Sequence, residues 1–420
     1  MQTSNTLTDI SADSNEETIS RHQTSERAYD IIVYGASGFT GKFVVEELLK
    51  HNVKIAAAGR SKEKVKKMNP SKNLKILECE VSEIWKITGQ ARIFLNCAGP
   101  YIFTGIDILR ACIDTETHYM DITGEPLFVE KCIKIFHEEA KKKKIFAVNC
   151  CGFDSIPADI GVQHFKEHLE KKELVESCIS GKNCKVNYAT YSSLIHSLSN
   201  SKELRKDVRK SQSSNIKKIF KFKTKAKKYF YSERTKSYWL LFMGSDVSIV
   251  RRTQLEMNDL DLESPVNYHA YIEVGSLFNL MMSFVMMFIF YFGSKFSLTK
   301  KILLKYPSFF TRNFVKHGLT DSEIKSASFS INFYSENKKL EICGPDPGYS
   351  TTPKCLVACA LVLNDYLSNS KKNSKNKNKT GFEIFGGGVL TPGMAFYNTD
   401  LVERLNDSGI KFKITEEILH

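Results

Sequence analysis

The sequence lacks several features that would assign it quickly to a class of protein. No two of its eleven cysteines are separated by only two residues, which argues against a zinc module and against a compact disulfide framework. The polar, Ser/Thr/Glu-rich stretch 1–27 has no apolar core, so it predicts a disordered leader over residues 1–28 and no secretory signal. We therefore expect a protein that is not secreted, works in a reducing compartment, keeps most of its cysteines buried and free, and binds no metal.

The chain carries an excess of positive charge, and one segment supplies most of it. Residues 201–236 contain fourteen Lys and Arg against three acidic residues, a surplus of eleven in a chain of net charge +13. Such a run is usually a solvated surface, and it can also rest on anionic lipid. No motif of a nucleic-acid-binding fold accompanies it, so we expect no nucleic-acid partner.

A glycine-rich turn lies between a strand pattern and a helix pattern near the start of the chain. Residues 29–41 read YDIIVYGASGFTG, and a helical apolar pattern follows over 42–50. Glycines at these spacings permit a tight turn, close approach of a pyrophosphate to the backbone, and a helix that starts against the strand with its free amides facing the anion. The turn therefore predicts a dinucleotide site formed by Gly35, Ala36, Ser37, Gly38, Phe39, Thr40 and Gly41.

The end of the second predicted strand indicates which dinucleotide binds. Arg60 and Ser61 stand there, and the first carboxylate is Glu63. An arginine at this position accommodates the 2′-phosphate of NADP, whereas an acidic residue would bind the free ribose of NAD. NADP(H) is thus favoured over NAD(H), although Arg60 can also be read as a solvated charge at a helix start. Small residues after another strand leave room for the cofactor along the sheet edge, namely Cys97, Ala98, Gly99 and Pro100.

Strand and helix patterns alternate from residue 29 to about 150, with one further helix before residue 170. This order predicts an α/β fold with a Rossmann doubly wound parallel sheet over 29–170.

Hydride transfer also needs a group that gives or takes a proton. Tyr101, Asp121 and Asp154 are predicted to follow strands at the carboxyl edge of this sheet, which makes them candidates for that role. Tyr101 would need a lowered pKa, and the aspartates a raised one. The alternative for Asp154 and its neighbour Ser155 is simple capping of the helix that begins near Pro157.

Six motifs together resemble the saccharopine dehydrogenase-like oxidoreductases, which are related to saccharopine reductases and to mycobacterial trans-acting enoyl reductases. They are GASGFTG (35–41), AGR (58–60), NCAGPY (96–101), CGFDSIPAD (151–159), GPDPGYSTTP (344–353) and GGGVLTPGMAF (386–396). The resemblance implies a second, α+β domain with an antiparallel sheet over 171–350, serving substrate binding or dimerisation. It also implies that the segment 351–420 returns to the first domain, and the Asn/Lys-rich stretch 368–380 predicts a disordered loop within it.

An uncharged apolar run occupies residues 274–294, between Glu273 and Lys295. It barely reaches the roughly 20 residues that cross a bilayer, and a lone span fits poorly with a Rossmann domain assembled in one globule. A buried core helix, a homodimer interface and a helix lying in a lipid monolayer remain open. The flanking lysines and the basic segment 201–236 favour contact with a membrane or lipid droplet. The resemblance implies lipid droplets and mitochondria as locations, so we expect the cytoplasmic face of membranes or lipid droplets, with the mitochondrion as an alternative.

These observations leave three hypotheses for function. The first is NADP(H)-dependent hydride transfer on a small-molecule, amino-acid-derived or lipid-linked substrate, with glycolipid biosynthesis as one setting. The second is a catalytically inactive dinucleotide-binding scaffold at a membrane or lipid droplet. The third, a saccharopine reductase of lysine metabolism, is the least favoured, because the second predicted domain has few arginines to bind the carboxylates of saccharopine.

Overall fold

The computed structural model describes residues 27–416 except 72, 154, 171–173, 200–224, 243, 317, 336 and 370–378. Asp154, the leader up to residue 26, and most of the segments 201–236 and 368–380 therefore lie outside the described residues. Arg27 belongs to the folded part: its guanidinium donates to the carbonyls of Ala91 and Thr115 and to the hydroxyl of Thr117. The folded chain thus begins earlier than the predicted boundary at residue 28.

The first part of the chain alternates strand and helix. Its elements are β1 Tyr29–Tyr34, α1 Phe39–Leu48, β2 Ile55–Gly59, α2 Lys62–Met68, β3 Lys75–Glu78, α3 Trp85–Thr88, β4 Ala91–Asn96, α4 Tyr101–Asp114, β5 His118–Asp121, α5 Pro126–Lys142, β6 Phe146–Val148 and α6 Ile156–Lys166.

The second part mixes longer strands with helices. Its elements are β7 Leu174–Lys182, β8 Val186–Asn187, α7 Tyr188–Ser199, β9 Tyr229–Ser232, β10 Ser237–Leu241, α8 Asp246–Asp259, β11 Asn267–Gly275, α9 Leu277–Gly293, α10 Ser297–Lys305, α11 Pro307–Phe310, β12 Val315–Lys316, α12 Asp321–Ser326, β13 Ser328–Ser335, β14 Lys338–Pro345, α13 Thr352–Asn369, α14 Gly381–Phe385, β15 Gly388–Leu390, α15 Pro392–Ala395, α16 Leu401–Asp407 and β16 Lys411–Glu416.

The first sheet is parallel throughout, with strand order β15-β6-β5-β4-β1-β2-β3. Both of its faces are covered, as expected of a parallel sheet. Ile31 and Val33 of β1 pack on the face covered by α1, while Ile32 and Tyr34 pack on the face covered by α4 and α5. The predicted Rossmann doubly wound sheet is confirmed.

The second sheet has strand order β16-β14-β13-β7-β11-β10-β9. It is mixed rather than wholly antiparallel, because β7 and β11 run parallel while the other neighbours run antiparallel. The predicted α+β part is confirmed, and five of the six neighbouring strand pairs in its sheet are antiparallel. The long connection between β7 and β11, which contains α7, β9, β10 and α8, makes the parallel pairing feasible.

The last segment of the chain completes the first sheet. β15 pairs in parallel with β6, with Val389 opposite Ala147, and becomes the seventh strand. Leu356 and Leu363 of α13 belong to the same buried core as Val44 and Leu48 of α1. The sheet predicted for residues 29–170 therefore depends on residues far outside that range.

The apolar run forms α9, and that helix is mostly exposed. Leu280 is its only buried residue, whereas Phe278 and Phe288 expose 64% and 62% of their surface. Within the described residues, no helix combines the length and the apolar character needed to cross a bilayer. The alternative of a buried core helix is therefore wrong.

Candidate functional site

The glycine turn leaves no room for side chains at two of its three glycines. Gly35 has a φ of +82°, and a Cβ there would lie 2.9 Å from the amide nitrogen of Ala98. A Cβ on Gly41 would lie 2.2 Å from the carbonyl oxygen of Gly35. Strand β1, helix α1 and the end of β4 therefore approach each other at backbone distance, which is the packing that a dinucleotide loop requires.

The start of α1 is free to receive an anion. Gly38 stands at the N-cap in an extended conformation, and no side chain caps the helix or places an acidic group in its first turn. The amides of the first turn of a helix have no partner within the helix, and together with the helix dipole they favour a negative group. The predicted residues Ala36, Ser37, Phe39 and Thr40 form the rest of this turn and the first positions of the helix.

A buried asparagine that was not predicted from the sequence links the glycine turn to helix α2. The side-chain amide of Asn69 donates to the carbonyl oxygens of Ala36, at 2.9 Å, and of Val65, at 3.0 Å. Asn69 follows α2, and nothing in the sequence marks it as anything other than a helix end. Only the packing of α2 beside the turn reveals this contact.

Arg60 lies at the carboxyl end of β2 and is exposed. Its positive charge is near enough to act on the hydroxyl of Tyr34, whose pKa burial raises to about 12 while Arg60 partly counteracts this. The hydroxyl of Ser61 accepts a hydrogen bond from the amide of Lys64 and so caps α2. Arg60 is available to a phosphate beside the glycine turn, and Ser61 already has a structural role.

The end of β4 is made of small residues and is fixed by Asn96. The side-chain oxygen of Asn96 accepts from the amide of Ala98, and the amide of Cys97 donates to the carbonyl of Tyr34. Cys97 and Ala98 therefore lie directly beside the glycine turn, and Gly99 and Pro100 lead on to α4. The predicted cofactor residues from the two strand ends are thus brought together, and their roles in binding remain predictions.

Asp121 ends β5 at the centre of a buried polar network. Its carboxylate accepts from the amides of Thr123 and Cys150, from the hydroxyl of Tyr119 and from the side-chain amide of Asn149. Burial raises the pKa of Asp121 to about 6, and these hydrogen bonds hold it from rising further. A carboxylate with four donors and no exposed surface is suited to fixing the carboxyl ends of β5 and β6.

Tyr101 does not follow a strand directly, because it is the first residue of α4. Its hydroxyl donates to the carbonyl oxygen of Asn96 at 3.0 Å, and the side chain is buried. Burial and the nearby Asp121 raise the pKa of Tyr101 well above its ordinary value, the opposite of what a proton donor at this position would need. The catalytic assignments of Tyr101, Asp121 and Asp154 stay predictions, and the surroundings of Tyr101 and Asp121 favour a structural role.

A cleft opens beside the end of β4 and the start of α4. Its walls come from the start of α4, the start of α5 and the helix α7, through Pro100, Ile102, Glu125, Pro126, Leu127, Ser193, His196 and Ser197. Glu125 accepts hydrogen bonds from the amides of Tyr101 and Ile102 and from the hydroxyl of Ser193. None of the α7 residues was identified from the sequence, because α7 comes from the second part of the chain.

The CGFDSIPAD motif joins the two sheets. The amide of Phe153 donates to the hydroxyl of Thr352, and the ring of Phe153 packs on Phe329 of β13. Ser155 occupies the N-cap position of α6 but makes no side-chain cap, so the capping alternative is wrong for Ser155. Asp159 accepts from the hydroxyl of Thr253 and the amide of Gly393.

The two C-terminal motifs are also part of the packing. Tyr349 of GPDPGYSTTP packs against Phe39 and Phe43 of α1, and GGGVLTPGMAF supplies β15 and the amide of Gly393. These motifs support the glycine turn and the sheet rather than lining the cleft described above.

One group of side chains among the described residues has ligand atoms close enough for a metal ion. His164, Glu167 and His168, at the C-terminal end of α6, place one such atom each within 4.8 Å of the others. Glu167 and His168 are exposed, and the group does not line the cleft. All eleven cysteines lie within the described residues, where none forms a disulfide and eight are buried.

Comparisons with known proteins agree with this geometry. A family model described as the saccharopine dehydrogenase NADP binding domain matches residues 31–148, the range that contains the glycine turn, Arg60 and Asp121. The chain is 34% identical over 437 residues to the saccharopine dehydrogenase-like oxidoreductase of Homo sapiens, which covers 93% of this chain and 98% of the human protein.

Two further relatives carry names that concern location. A probable mitochondrial saccharopine dehydrogenase-like oxidoreductase of Arabidopsis thaliana is 30% identical over 94% of this chain and 98% of its own length. A lipid droplet localized protein of Caenorhabditis elegans is 27% identical over 93% of this chain and 99% of its own length.

Among solved structures, the saccharopine dehydrogenase (L-Glu forming) of Saccharomyces cerevisiae shares the fold. It superposes with a TM-score of 0.50 at 13% identity and covers 92% of this chain and all of the yeast chain. The resemblance read from the motifs is confirmed: the chain belongs to the saccharopine dehydrogenase-like oxidoreductases and carries their NADP-binding domain at its start.

Proposed function

We propose that this protein is an NADP(H)-dependent oxidoreductase that works at a lipid surface on a lipid-linked substrate. The observation that carries the proposal is the position of α7, which lines the cleft beside the cofactor edge and is attached to the exposed apolar helices. The hydroxyl of Tyr191 donates to the carbonyl of Leu303 in α10, and its ring packs on Phe290 of α9. The cleft and the apolar surface therefore share one helix.

We give the name apolar ridge to ten exposed apolar side chains of α9 to α11 and of the turn between α9 and α10. Its members are Leu277, Phe278, Met281, Phe284, Val285, Phe288, Phe292, Phe296, Leu298 and Phe309. Soluble proteins rarely expose so many large apolar side chains together, and such patches mark contact with protein or membrane. The seven members on α9 stand at positions 277, 278, 281, 284, 285, 288 and 292, a spacing that places them on one side of the helix, which suits a helix lying flat in a monolayer.

The charge around the apolar ridge favours lipid over a second protein chain. From Val274 to Thr320 the sequence has no Asp or Glu, whereas it has six Lys and Arg. Four of them, Lys295, Lys300, Lys301 and Lys305, lie on or beside α10. Each basic residue near an anionic membrane contributes roughly 1 kcal/mol to binding. A homodimer would bring these positive charges of two copies together, which is unfavourable.

The arrangement of the cofactor edge supports NADP(H) in preference to NAD(H). The turn between Gly35 and Gly41 would hold the pyrophosphate, Arg60 would bind the 2′-phosphate, and Ala98 leaves space along the sheet edge. Bound reduced cofactor would supply a hydride to a carbon of the substrate.

A first experiment tests the lipid surface. Phosphatidylserine-containing vesicles should float the full-length protein, and a variant with Phe278→Ser, Met281→Ser and Phe288→Ser should float at least tenfold less while binding NADPH normally by fluorescence. A matched control carries Leu49→Ser, Trp85→Ser and Ile135→Ser, three apolar side chains exposed elsewhere, and should float like the wild type. Equal flotation of both variants would refute the lipid contact.

A second experiment tests the activity and separates it from the scaffold alternative. NADPH oxidation is followed with detergent-dispersed membrane lipid extracts and with a panel of soluble amino-acid derivatives. Oxidation with the lipid extract alone supports the proposal. Tight NADPH binding without oxidation in either case would favour an inactive scaffold, an alternative that the fully bonded state of Asp121 and Tyr101 keeps open. Oxidation with soluble derivatives alone would favour an amino-acid enzyme.

A further inference from the structure

We propose that His196 is the residue that exchanges a proton with the substrate, an inference that rests on the proposed NADP(H)-dependent function. His196 lies on α7 and lines the cleft together with Pro100 and Ile102, which follow the end of β4. The residues just before them, Cys97 and Ala98, lie against the glycine turn. Along this edge the reactive end of the cofactor and the imidazole would meet at the cleft.

One aromatic ring contacts the imidazole, and the helix that carries His196 is fixed at two further points. The ring of Phe103 in α4 meets it edge to face, with 5.7 Å between the ring centroids. Ser193, one turn earlier on α7, donates to Glu125, and that carboxylate also accepts the amides of Tyr101 and Ile102. Near the C-terminal end of α7, the ammonium of Lys295 donates to the carbonyl of Leu198 and fixes that end of the helix.

Charged groups on both sides of His196 set its proton affinity. Burial and the positive charge of Lys300 lower the pKa of His196, and Glu125 partly offsets them. The half-buried imidazole is therefore mostly neutral at neutral pH and remains able to take up a proton, the condition that general acid–base catalysis needs. The other two groups on this edge, Tyr101 and Asp121, already use their polar atoms within the fold.

The reaction balances with His196 in this role. In the direction of reduction, hydride from the nicotinamide of NADPH forms a C–H bond on the carbon of a polarised C=O or C=N group, and the π electron pair moves to the heteroatom. His196 in its protonated form gives its ring proton to that heteroatom and becomes neutral. In the direction of oxidation, neutral His196 accepts the proton from the O–H or N–H group while NADP⁺ accepts the hydride.

The position of α7 also limits which substrates can reach His196. The same helix contacts Phe290 of α9 and Leu303 of α10 through Tyr191. A carbonyl or imine borne near the headgroup of a membrane lipid could enter between the apolar ridge and the cleft without leaving the interface. Lys300, which acts on the charge of His196, lies on the lipid-facing helix α10.

The test uses the charge of the cofactor and needs no substrate. Full-length protein labelled at histidine ring carbons is titrated by NMR, alone, with NADPH and with NADP⁺, and the His196 signal is assigned from its loss in His196→Gln. The oxidised nicotinamide is positively charged and the reduced ring is neutral. We therefore expect the pKa of His196 to be lower with NADP⁺ than with NADPH by about 0.5 units or more, since a nearby positive charge disfavours the imidazolium.

The controls separate failure of this inference from failure of the proposed function. The ring signal of His168, which lies just after α6 and is exposed, should be the same in the NADPH and NADP⁺ complexes. Backbone amide shifts at Gly35 and Gly38 report cofactor binding independently. Cofactor binding with an unchanged His196 pKa would overturn the proton-transfer role and leave the oxidoreductase intact. No amide shifts with either cofactor would overturn the proposed function itself.

A kinetic test applies once a lipid extract supports NADPH oxidation. His196→Gln should lower kcat at least tenfold, leave NADPH affinity unchanged and remove the fall in rate that accompanies deprotonation of His196 as the pH rises, because NADPH oxidation uses the protonated imidazole. His168→Gln, the matched control, should behave like the wild type. Retention of the wild-type pH profile in His196→Gln would contradict the role.

Discussion

Single residues decide whether the cofactor turn can form. A Cβ on Gly41 would lie 2.2 Å from the carbonyl oxygen of Gly35 and 3.0 Å from the Cα of Ala36, all of it backbone that cannot move aside cheaply. We predict that Gly41→Ala displaces α1 from the turn, weakens NADPH binding at least tenfold and lowers the free energy of unfolding by about 1–3 kcal/mol. NADPH fluorescence titration and denaturant unfolding measure the two effects.

The matched control for this substitution is Gly89→Ala. A Cβ on Gly89 would meet the side chain of Thr115 at 3.5 Å, an ordinary contact, and its backbone is in the right-handed helical region. It should bind NADPH like the wild type. Equal affinity of Gly41→Ala and Gly89→Ala would show that the turn does not contact the cofactor.

Arg60 should determine the preference between the two cofactors. Arg60 directly follows β2 and is exposed, and Glu78 of the neighbouring strand β3 already accepts a hydrogen bond from the amide of Lys62. We predict that Arg60→Ala lowers NADPH affinity at least tenfold and changes NADH affinity less than twofold, because only NADPH carries the 2′-phosphate. Lys67→Ala, an exposed charge in the last turn of α2, should change neither. Parallel loss of both affinities in Arg60→Ala would contradict the assignment.

For single residues, the sequence reveals a role where the local backbone geometry admits only one residue type. Gly35 and Gly41 are recognisable because a positive φ and a backbone contact each exclude other residue types. The roles of Asn69 and His196 cannot be recognised in the sequence, because they arise from elements that meet only in the folded chain. Asp121 ends β5 as predicted, whereas Tyr101 begins α4. The burial and hydrogen bonding that determine the chemistry of both residues are not visible in a sequence.

Among the elements, α6 acts as the junction between the two sheets. Its Asp159 is buried and accepts hydrogen bonds from Thr253 in α8 and from the amide of Gly393 in α15. Burial raises the pKa of Asp159 to about 6, and the two hydrogen bonds hold it from rising further. Because its folded-state pKa lies above the ordinary value of 3.8, the folded protein binds the additional proton, and its ionisation on raising the pH costs stability.

The raised pKa of Asp159 predicts a measurable loss of stability as the pH rises. Between pH 4 and pH 6, the free energy of unfolding of the wild type should fall relative to that of Asp159→Asn by roughly 2 kcal/mol, because the slope stays below its limit of 1.36 kcal/mol per pH unit near each of the two pKa values. The difference between the two proteins isolates Asp159 from other titrating groups. Urea unfolding at several pH values in this range measures it. A difference that stays constant with pH would show that Asp159 titrates normally.

Helix α9 illustrates which properties of a helix can be predicted from the sequence and which need the structure. Its existence follows from the uninterrupted apolar run 274–294, but the first two residues of that run belong to β11 and the helix covers Leu277–Gly293. The run just reaches the length of a span, and the single globule around it argued against one. The sequence left three environments open, because a helix that is apolar on every side gives no periodic signal for the buried face. Only the placement of Leu280 against the fold, with the opposite side exposed, removes the buried alternative.

In the whole molecule, the two sheets and the C-terminal segment share one hydrophobic core. A single buried cluster includes Ile31 of the first sheet, Phe333 of the second and Leu356 of α13. Arg92 of β4 also donates to the carbonyl of Asn364 and the hydroxyl of Ser368. The order of elements in the first sheet could be predicted from the sequence. The predicted domain boundaries near residues 170 and 350 mark changes in the sequence pattern, but the parts on either side of them share one core.

This shared core leads to a prediction for the isolated first segment. A fragment of residues 27–170 lacks β15 and α13, and with them Leu356, Leu363, Val389 and Leu390, whose burial contributes about 6–12 kcal/mol together at 1.5–3 kcal/mol each. That is comparable with the stability of an entire domain. We predict that the fragment unfolds without a cooperative thermal transition and does not bind NADPH, whereas co-expression with residues 171–420 restores binding. Circular dichroism and NADPH fluorescence measure both properties, and a fragment with full NADPH affinity would show that the cofactor domain is independent of the rest of the chain.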